Sequence, residues 1–163
     1  MDKANDKRAL REALGWYATG VAVVTSVAAD GRPLGITVNS FSSVSLDPPL
    51  VLFSLDRGAF SLAEFVAAGH FAVNILSEDQ RDLSSVFARP LADKWSGLAY
   101  DRWQTGSPIL RDTLASFECR TETTYDGGDH LIFLGRVMRL DHRKGGRPLL
   151  YFRGAYSRIE EIL

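Results

Sequence analysis

Apolar positions recur with two different periods along the chain, and the changes of period mark out its elements. Leu10, Leu14 and Tyr17 fall at i, i+4 and i+7, with Arg8, Arg11 and Glu12 on other faces. That spacing predicts an amphipathic helix, ended by Gly20. Residues 21–28 are rich in β-branched side chains and read as a strand. Asp30-Gly31 is a hairpin turn signal, with a return strand over residues 34–40. Pro48-Pro49 breaks the chain, and residues 50–55 read as a buried strand. Ser61 and Glu64 have capping-box spacing and predict a helix of about ten residues ending near Gly69. Residues 71–76 form the next strand. Ser77 and Gln80 make a second capping box, opening a helix to about Ala88 that Pro90 ends.

Residues 89–113 show no clear period, although they hold Trp95, Tyr100 and Trp103. Two long strands follow, over residues 114–125 and 131–140, joined by the turn Asp126-Gly127-Gly128-Asp129. A second turn over residues 143–148 leads to a strand at 149–152 and a last one at 156–159. The tally is about seven strands and three helices, with sequential antiparallel hairpins and no regular βα alternation, which argues against a doubly wound sheet. The expected class is mainly β with α, a β-barrel with helices packed outside. A sandwich with inserted helices is the alternative.

The 163 residues fit one domain, 1–163, with 1–8 expected as a flexible N-terminal segment. A net charge of −1 gives no electrostatic grip on nucleic acid or on an acidic membrane. Only Lys3, Lys7, Lys94 and Lys144 among the 19 basic residues are lysines; the arginine excess suits phosphate recognition, and compositional bias explains it as well. The first residues lack the apolar core of a secretory signal, and no apolar run reaches membrane-spanning length, so the expected location is the cytoplasm. Cys119, the single cysteine, lies in an alternating run and reads as a buried strand residue.

No GxGxxG follows a strand, and no GxxxxGK[ST] occurs, which removes a Rossmann site and a P-loop. His70, His130 and His142 lack metal-ligand spacing, and no G-x-S-x-G elbow is present. Four segments carry candidate chemistry. In residues 54–64 a strand ends, Arg57 and Gly58 follow and a capped helix begins, an arrangement that favours an anion; taken alone, the segment is more simply an ordinary strand–helix connection with an exposed arginine. Thr37, Asn39, Ser40 and Ser43 crowd small polar groups onto a strand leaving the core, suited to a polar heterocycle or to a plain Ser-rich turn. His130 follows a glycine-rich turn and can stand at a pocket mouth or idle at the surface. Arg153 and Tyr156 form a basic–aromatic pair in the last hairpin.

In order, these pieces are Thr19-Gly20-Val-Ala-Val-Val-Thr25, Gly35-Ile-Thr-Val-Asn-Ser-Phe41, Ser43-Val-Ser-Leu-Asp-Pro-Pro-Leu50, Phe71-Ala-Val-Asn-Ile-Leu76, Gly128-Asp-His130 and Arg153-Gly-Ala-Tyr156. Over roughly residues 9–159 the set resembles the short-chain flavin reductase family, the reductase components of two-component flavin monooxygenases. The resemblance implies an FMN-binding split barrel, as a homodimer with the flavin near the subunit interface. It implies hydride transfer from NADH or NADPH to FMN, or to FAD, and delivery of reduced flavin to a separate monooxygenase. Residue by residue, it puts Thr37, Asn39, Ser40 and Ser43 against the isoalloxazine and ribityl chain. Arg57 and Ser61 would hold the phosphate, with Lys94 assisting. His130 would lie beside the nicotinamide, and Arg153 and Tyr156 near the flavin or NAD(P)H. Such chemistry asks little of side chains beyond orientation, which agrees with the absence of an evident acid–base pair. The alternatives are a pyridoxamine-phosphate-oxidase-like flavoprotein and an FMN-binding electron carrier without nicotinamide turnover.

Overall fold

The computed structural model describes residues 5–90 and 93–161. The first helix is α1 (Lys7–Leu14), and β1 (Thr19–Gly20), β2 (Ala22–Val27), β3 (Pro33–Val38), β4 (Ser42–Leu46) and β5 (Pro49–Asp56) follow. Next come α2 (Leu62–Ala68), β6 (His70–Ile75), a 3-10 turn (Glu78–Gln80) and α3 (Arg81–Phe87). The chain continues with β7 (Tyr100–Arg102), β8 (Pro108–Leu110), β9 (Ala115–Gly127), β10 (His130–His142), β11 (Leu150–Phe152) and β12 (Ala155–Ser157).

Seven strands form one antiparallel sheet in the order β3-β2-β6-β9-β10-β5-β4. Its two edges, β3 and β4, are consecutive in sequence and joined only by residues 39–41. Four backbone steps span at most about 14 Å, so the edges must approach one another and the sheet must roll up. The product is a barrel whose ladder is open along one seam, the split barrel expected. Ser40 lies at that connection. Its hydroxyl accepts from Ser54 N–H at 2.9 Å and donates to Ser54 C=O at 3.0 Å. These bonds continue the register in which Ser42 faces Leu52 across β4 and β5.

The barrel interior is aromatic. Phe53 stacks on Phe133 at 4.8 Å and meets Phe71 edge-on at 4.9 Å, all three fully buried. Burying each ring contributes about 2–3 kcal/mol. Strand β2 is buried on both faces. Ala22 and Val24 point into the barrel, while Val21 and Val23 join a second cluster outside it with Phe87 of α3, Leu110 and Leu149. This second cluster holds α3 against the β2–β3 face and so forms one wall of the cleft described below.

Several elements depart from the sequence pattern. Helix α1, capped by Asp6 through Arg8 N–H at 2.9 Å, starts within the first eight residues and stops at Leu14 rather than Gly20. The chain must be extended by Thr19 to pair with Tyr151 of β11. The Ser61 capping box does not form. Ser61 has ψ near 2° rather than an extended conformation, its side chain makes no cap bond, and Glu64 pairs with Arg32 instead. The Ser77–Gln80 box does form. Residues 42–46 are a strand rather than a turn, and the short hairpin β7–β8 lies within the stretch read as irregular. Among the described residues, no helix is long and apolar enough to cross a membrane.

Candidate active site

A cleft of about 790 Å³ opens between β3, the approach to α2 and the end of α3. Gly35 and Ile36 line one wall, residues 58–61 a second, and Phe87, Arg89, Lys94 and Trp95 a third. Side chains alternate across β3, so Gly35 and Thr37 face α3 while Leu34 and Val38 face the core. At Gly35 the approach is so close that a Cβ would lie 2.4 Å from the Phe87 ring and 2.9 Å from Trp95. Glycine is required here by contact. Phe87 meets Trp95 edge-on at 4.9 Å, and Trp95 meets Tyr100 at 5.1 Å. The result is a flat apolar slot.

Polar groups line the same cleft. Lys94 Nζ donates to Phe87 C=O at 3.1 Å and to Gly35 C=O at 3.2 Å. Two of its three N–H groups are thus committed to fixing the chain, and among the described residues the third has no partner. Burial holds the Lys94 pKa below the usual lysine value, so a neighbouring anion would stabilise its charged form. Ser61, freed from capping, presents a hydroxyl in the same cleft. The Arg32–Glu64 ion pair links the turn before β3 to α2, and Glu64 raises the Arg32 pKa through a hydrogen bond and its charge.

One turn back along α3, the buried Ser84 joins two of the residues singled out by sequence. Thr37 Oγ1 donates to Ser84 C=O at 2.7 Å, and Ser84 Oγ lies 2.8 Å from Tyr156 Oη. The Arg81 guanidinium lies 5.6 Å from the centre of the Tyr156 ring. Ser84 went unnoticed in the sequence. The available signal was a small residue three positions before Phe87, on the face that α3 buries.

Arg57 is placed differently from the expectation of a phosphate ligand beside Ser61. It does not line the cleft. Its Nε donates to Gly128 C=O at 2.9 Å and its Nη2 to Asp126 Oδ1 at 2.9 Å. Its fork is therefore occupied by the β9–β10 turn. His130 opens β10 directly opposite Asp56, which does line the cleft. His130 Nδ1 lies 2.7 Å from Asp129 Oδ1, which leaves Nε2 without that constraint. The hydrogen bond and charge of His130 hold the Asp129 carboxyl below its ordinary pKa.

The remaining candidates lie apart from the slot. Asn39 is exposed in the β3–β4 connection, Ser43 is exposed on β4, and Ser40 staples the barrel seam. Arg153, at φ 49°, stacks on Trp16 at 4.3 Å, in the turn between β11 and β12. Cys119 is fully buried, and burial pushes its thiol pKa up to about 12, so it is not a nucleophile. Among the described residues, no group of three His, Cys, Asp or Glu side chains could hold a metal ion.

The rolled sheet with its open seam is a split barrel, and its cleft combines an apolar slot with the Ser61 hydroxyl and the Lys94 ammonium. The chain belongs to the flavin reductase like domain family, whose model matches residues 14–160. It is 44% identical over 156 residues to the reductase component of the flavin-dependent trigonelline monooxygenase of Acinetobacter baylyi, covering 96% of this chain and 50% of that protein. It is 46% identical over 159 residues to the FMN reductase (NADH) SmoA of Agrobacterium fabrum, covering 94% and 87% respectively. It superimposes on the crystal structure of nitrilotriacetate monooxygenase component B from Mycobacterium thermoresistibile with a TM-score of 0.91, at 40% identity, covering 97% and 89%. The chain spans about half the length of the curated relatives it matches first.

Proposed function

We propose that this chain is an NAD(P)H-dependent flavin reductase that takes up FMN in the β3–α3 cleft and supplies reduced flavin to a separate monooxygenase. The observation that carries this reading is the cleft itself, an apolar slot closed by Gly35, Phe87 and Trp95 and lined also by the hydroxyl of Ser61 and the ammonium of Lys94. That donor set fits a flavin mononucleotide, whose ring is apolar and planar and whose tail is an anion. Bound flavin supplies the redox chemistry, accepting a hydride from reduced nicotinamide. The chain's own residues bind and orient. Phe87 and Trp95 exclude water from the slot, Lys94 and Ser61 hold the phosphate, and Ser84, outside the cleft lining, ties Thr37 of β3 to Tyr156 of β12. His130, with its ring turned by Asp129, stands at the Asp56 end to receive the nicotinamide.

The relatives named as a monooxygenase reductase component and as an FMN reductase (NADH) support the partner and NADH as reductant. FAD and NADPH are the alternatives the assay distinguishes. The protomer leaves Phe60 89% exposed and Leu46 94% exposed, and Phe60 lies on the cleft wall, which supports a homodimer whose second copy covers that rim. A reductase consuming the nicotinamide pool works in the cytoplasm.

The test is anaerobic mixing of protein, NADH or NADPH, and FMN, FAD or riboflavin. Bleaching of flavin absorbance, fastest with FMN and NADH, is expected. Absence of bleaching with every pair would overturn the assignment, and bound FMN without nicotinamide oxidation would favour an electron carrier.

A further inference from the structure

We propose that Arg57 is a positioning residue for the nicotinamide side of the site, a clamp on the turn that carries His130. The proposal rests on the reductase reading above. Arg57 makes three hydrogen bonds to the four residues before His130, and a fourth bond, within that segment, shares one of its acceptors. Arg57 N–H donates to Asp129 C=O at 2.9 Å, and Arg57 Nε donates to Gly128 C=O at 2.9 Å. Arg57 Nη2 donates to Asp126 Oδ1 at 2.9 Å, and Gly128 N–H donates to the same oxygen at 3.0 Å. One arginine at the end of β5 thus grips a two-residue turn from the far side of a strand pair.

The turn needs such a grip. Gly128 has φ 76°, a conformation open to glycine, and Gly127 beside it adds no side chain to restrain the loop. Both sides of the turn are solvent-exposed, so packing does not hold it. His130 inherits its direction from this turn. Its ring bonds Asp129, and its Cα faces Asp56 at the end of the cleft. The clamp is not what folds the hairpin. The pairs Leu131 with Leu55 and Phe133 with Phe53 hold the β5–β10 register, and Arg57 takes no part in them. Arg57 and Asp126 side chains are 46% and 80% exposed, and an ion pair that open adds little to stability. Its effect is on where a histidine points.

The experiment compares R57A, D126A, the double variant R57A/D126A, and R57K. Steady-state kinetics are measured with NADH against both FMN and riboflavin, and flavin affinity by fluorescence quenching. The clamp predicts that each single variant raises the Michaelis constant for NADH roughly three- to tenfold, equally with FMN and riboflavin, with flavin affinity unchanged. The double variant should be no worse than either single one, because both remove one interaction. R57K should not restore the wild-type value, since an ammonium cannot supply the two-armed contact. A selective loss of FMN over riboflavin in R57A, rescued by R57K and absent in D126A, would overturn the clamp in favour of a phosphate ligand. So would additive effects. Should the wild-type protein fail to turn over, the reductase reading fails, and the clamp is still decided by nuclear magnetic resonance. The His130 ring signals, assigned with H130A, should shift alike in R57A and D126A; unchanged signals would refute the proposal.

Discussion

Replacing Gly35 with alanine tests the cleft by a single methyl group. The new Cβ would stand 2.4 and 2.7 Å from two atoms of the Phe87 ring and 2.9 Å from Trp95. No Cβ tolerates such distances, and the backbone at Gly35 is not in the left-handed region, so the whole cost is contact. Phe87 is fully buried and cannot swing away; it must move with α3 or tilt into Trp95. Overpacking of this kind costs about 1–3 kcal/mol. In a domain of this size each kcal/mol lowers Tm by about 2–4 °C, so G35A should melt about 2–12 °C lower. The displaced rings narrow the slot, and FMN affinity should fall with it. Thermal unfolding and fluorescence titration with FMN measure the two effects. In the double variant G35A/F87L the smaller side chain should recover much of the Tm, a coupling expected only of residues in contact. An unchanged Tm and FMN affinity in G35A would refute the packing described for the slot.

Lys94→Ala should weaken FMN by about 1.5–3 kcal/mol and riboflavin by much less, since only FMN carries the phosphate; calorimetric titration of both flavins checks this. His70 has its pKa lowered mainly by burial, with Glu118 opposing the shift. The unfolded chain therefore takes up this proton before the folded chain does, and stability should fall as the pH drops below about 6.5; denaturation of wild type and H70Q across pH should show a shallower acid slope in the variant. Cys119 should resist a thiol reagent in the native protein and react after unfolding, because its thiol is buried and its pKa stands at about 12.

Much of the barrel could be read from local pattern because its strands alternate and its turns are chemically explicit. Asp30-Gly31 closes the β2–β3 hairpin with Gly31 at φ 85°, and the two long strands meet at the turn read from Asp126 to Asp129. Strand β4 escaped because an edge strand exposed on both faces shows no apolar alternation; only Ser45 of its five residues is partly covered. Helix α1 shows the converse, an apolar stripe with Leu10 and Leu14 still 45% and 63% exposed in the protomer. Ser61 and Lys94 could be proposed by residue type. The partners of Arg57 could not, because they return to it 69 and 71 residues later through a strand pairing that no local window contains. Ser84 was hidden for a different reason. Periodicity counts a serine as polar, whereas here it lies fully buried, with its carbonyl and its hydroxyl serving two separate partners.

The central claim is that flavin lies in the β3–α3 cleft with its phosphate at Lys94 and Ser61. A crystal structure of the protein grown with saturating FMN tests it most directly. The account predicts ring density against Gly35 and Trp95 and phosphate density within hydrogen-bonding reach of Lys94 Nζ and Ser61 Oγ. Phosphate density on the Arg57 guanidinium, with the Asp126 contact broken and the cleft empty, would contradict it.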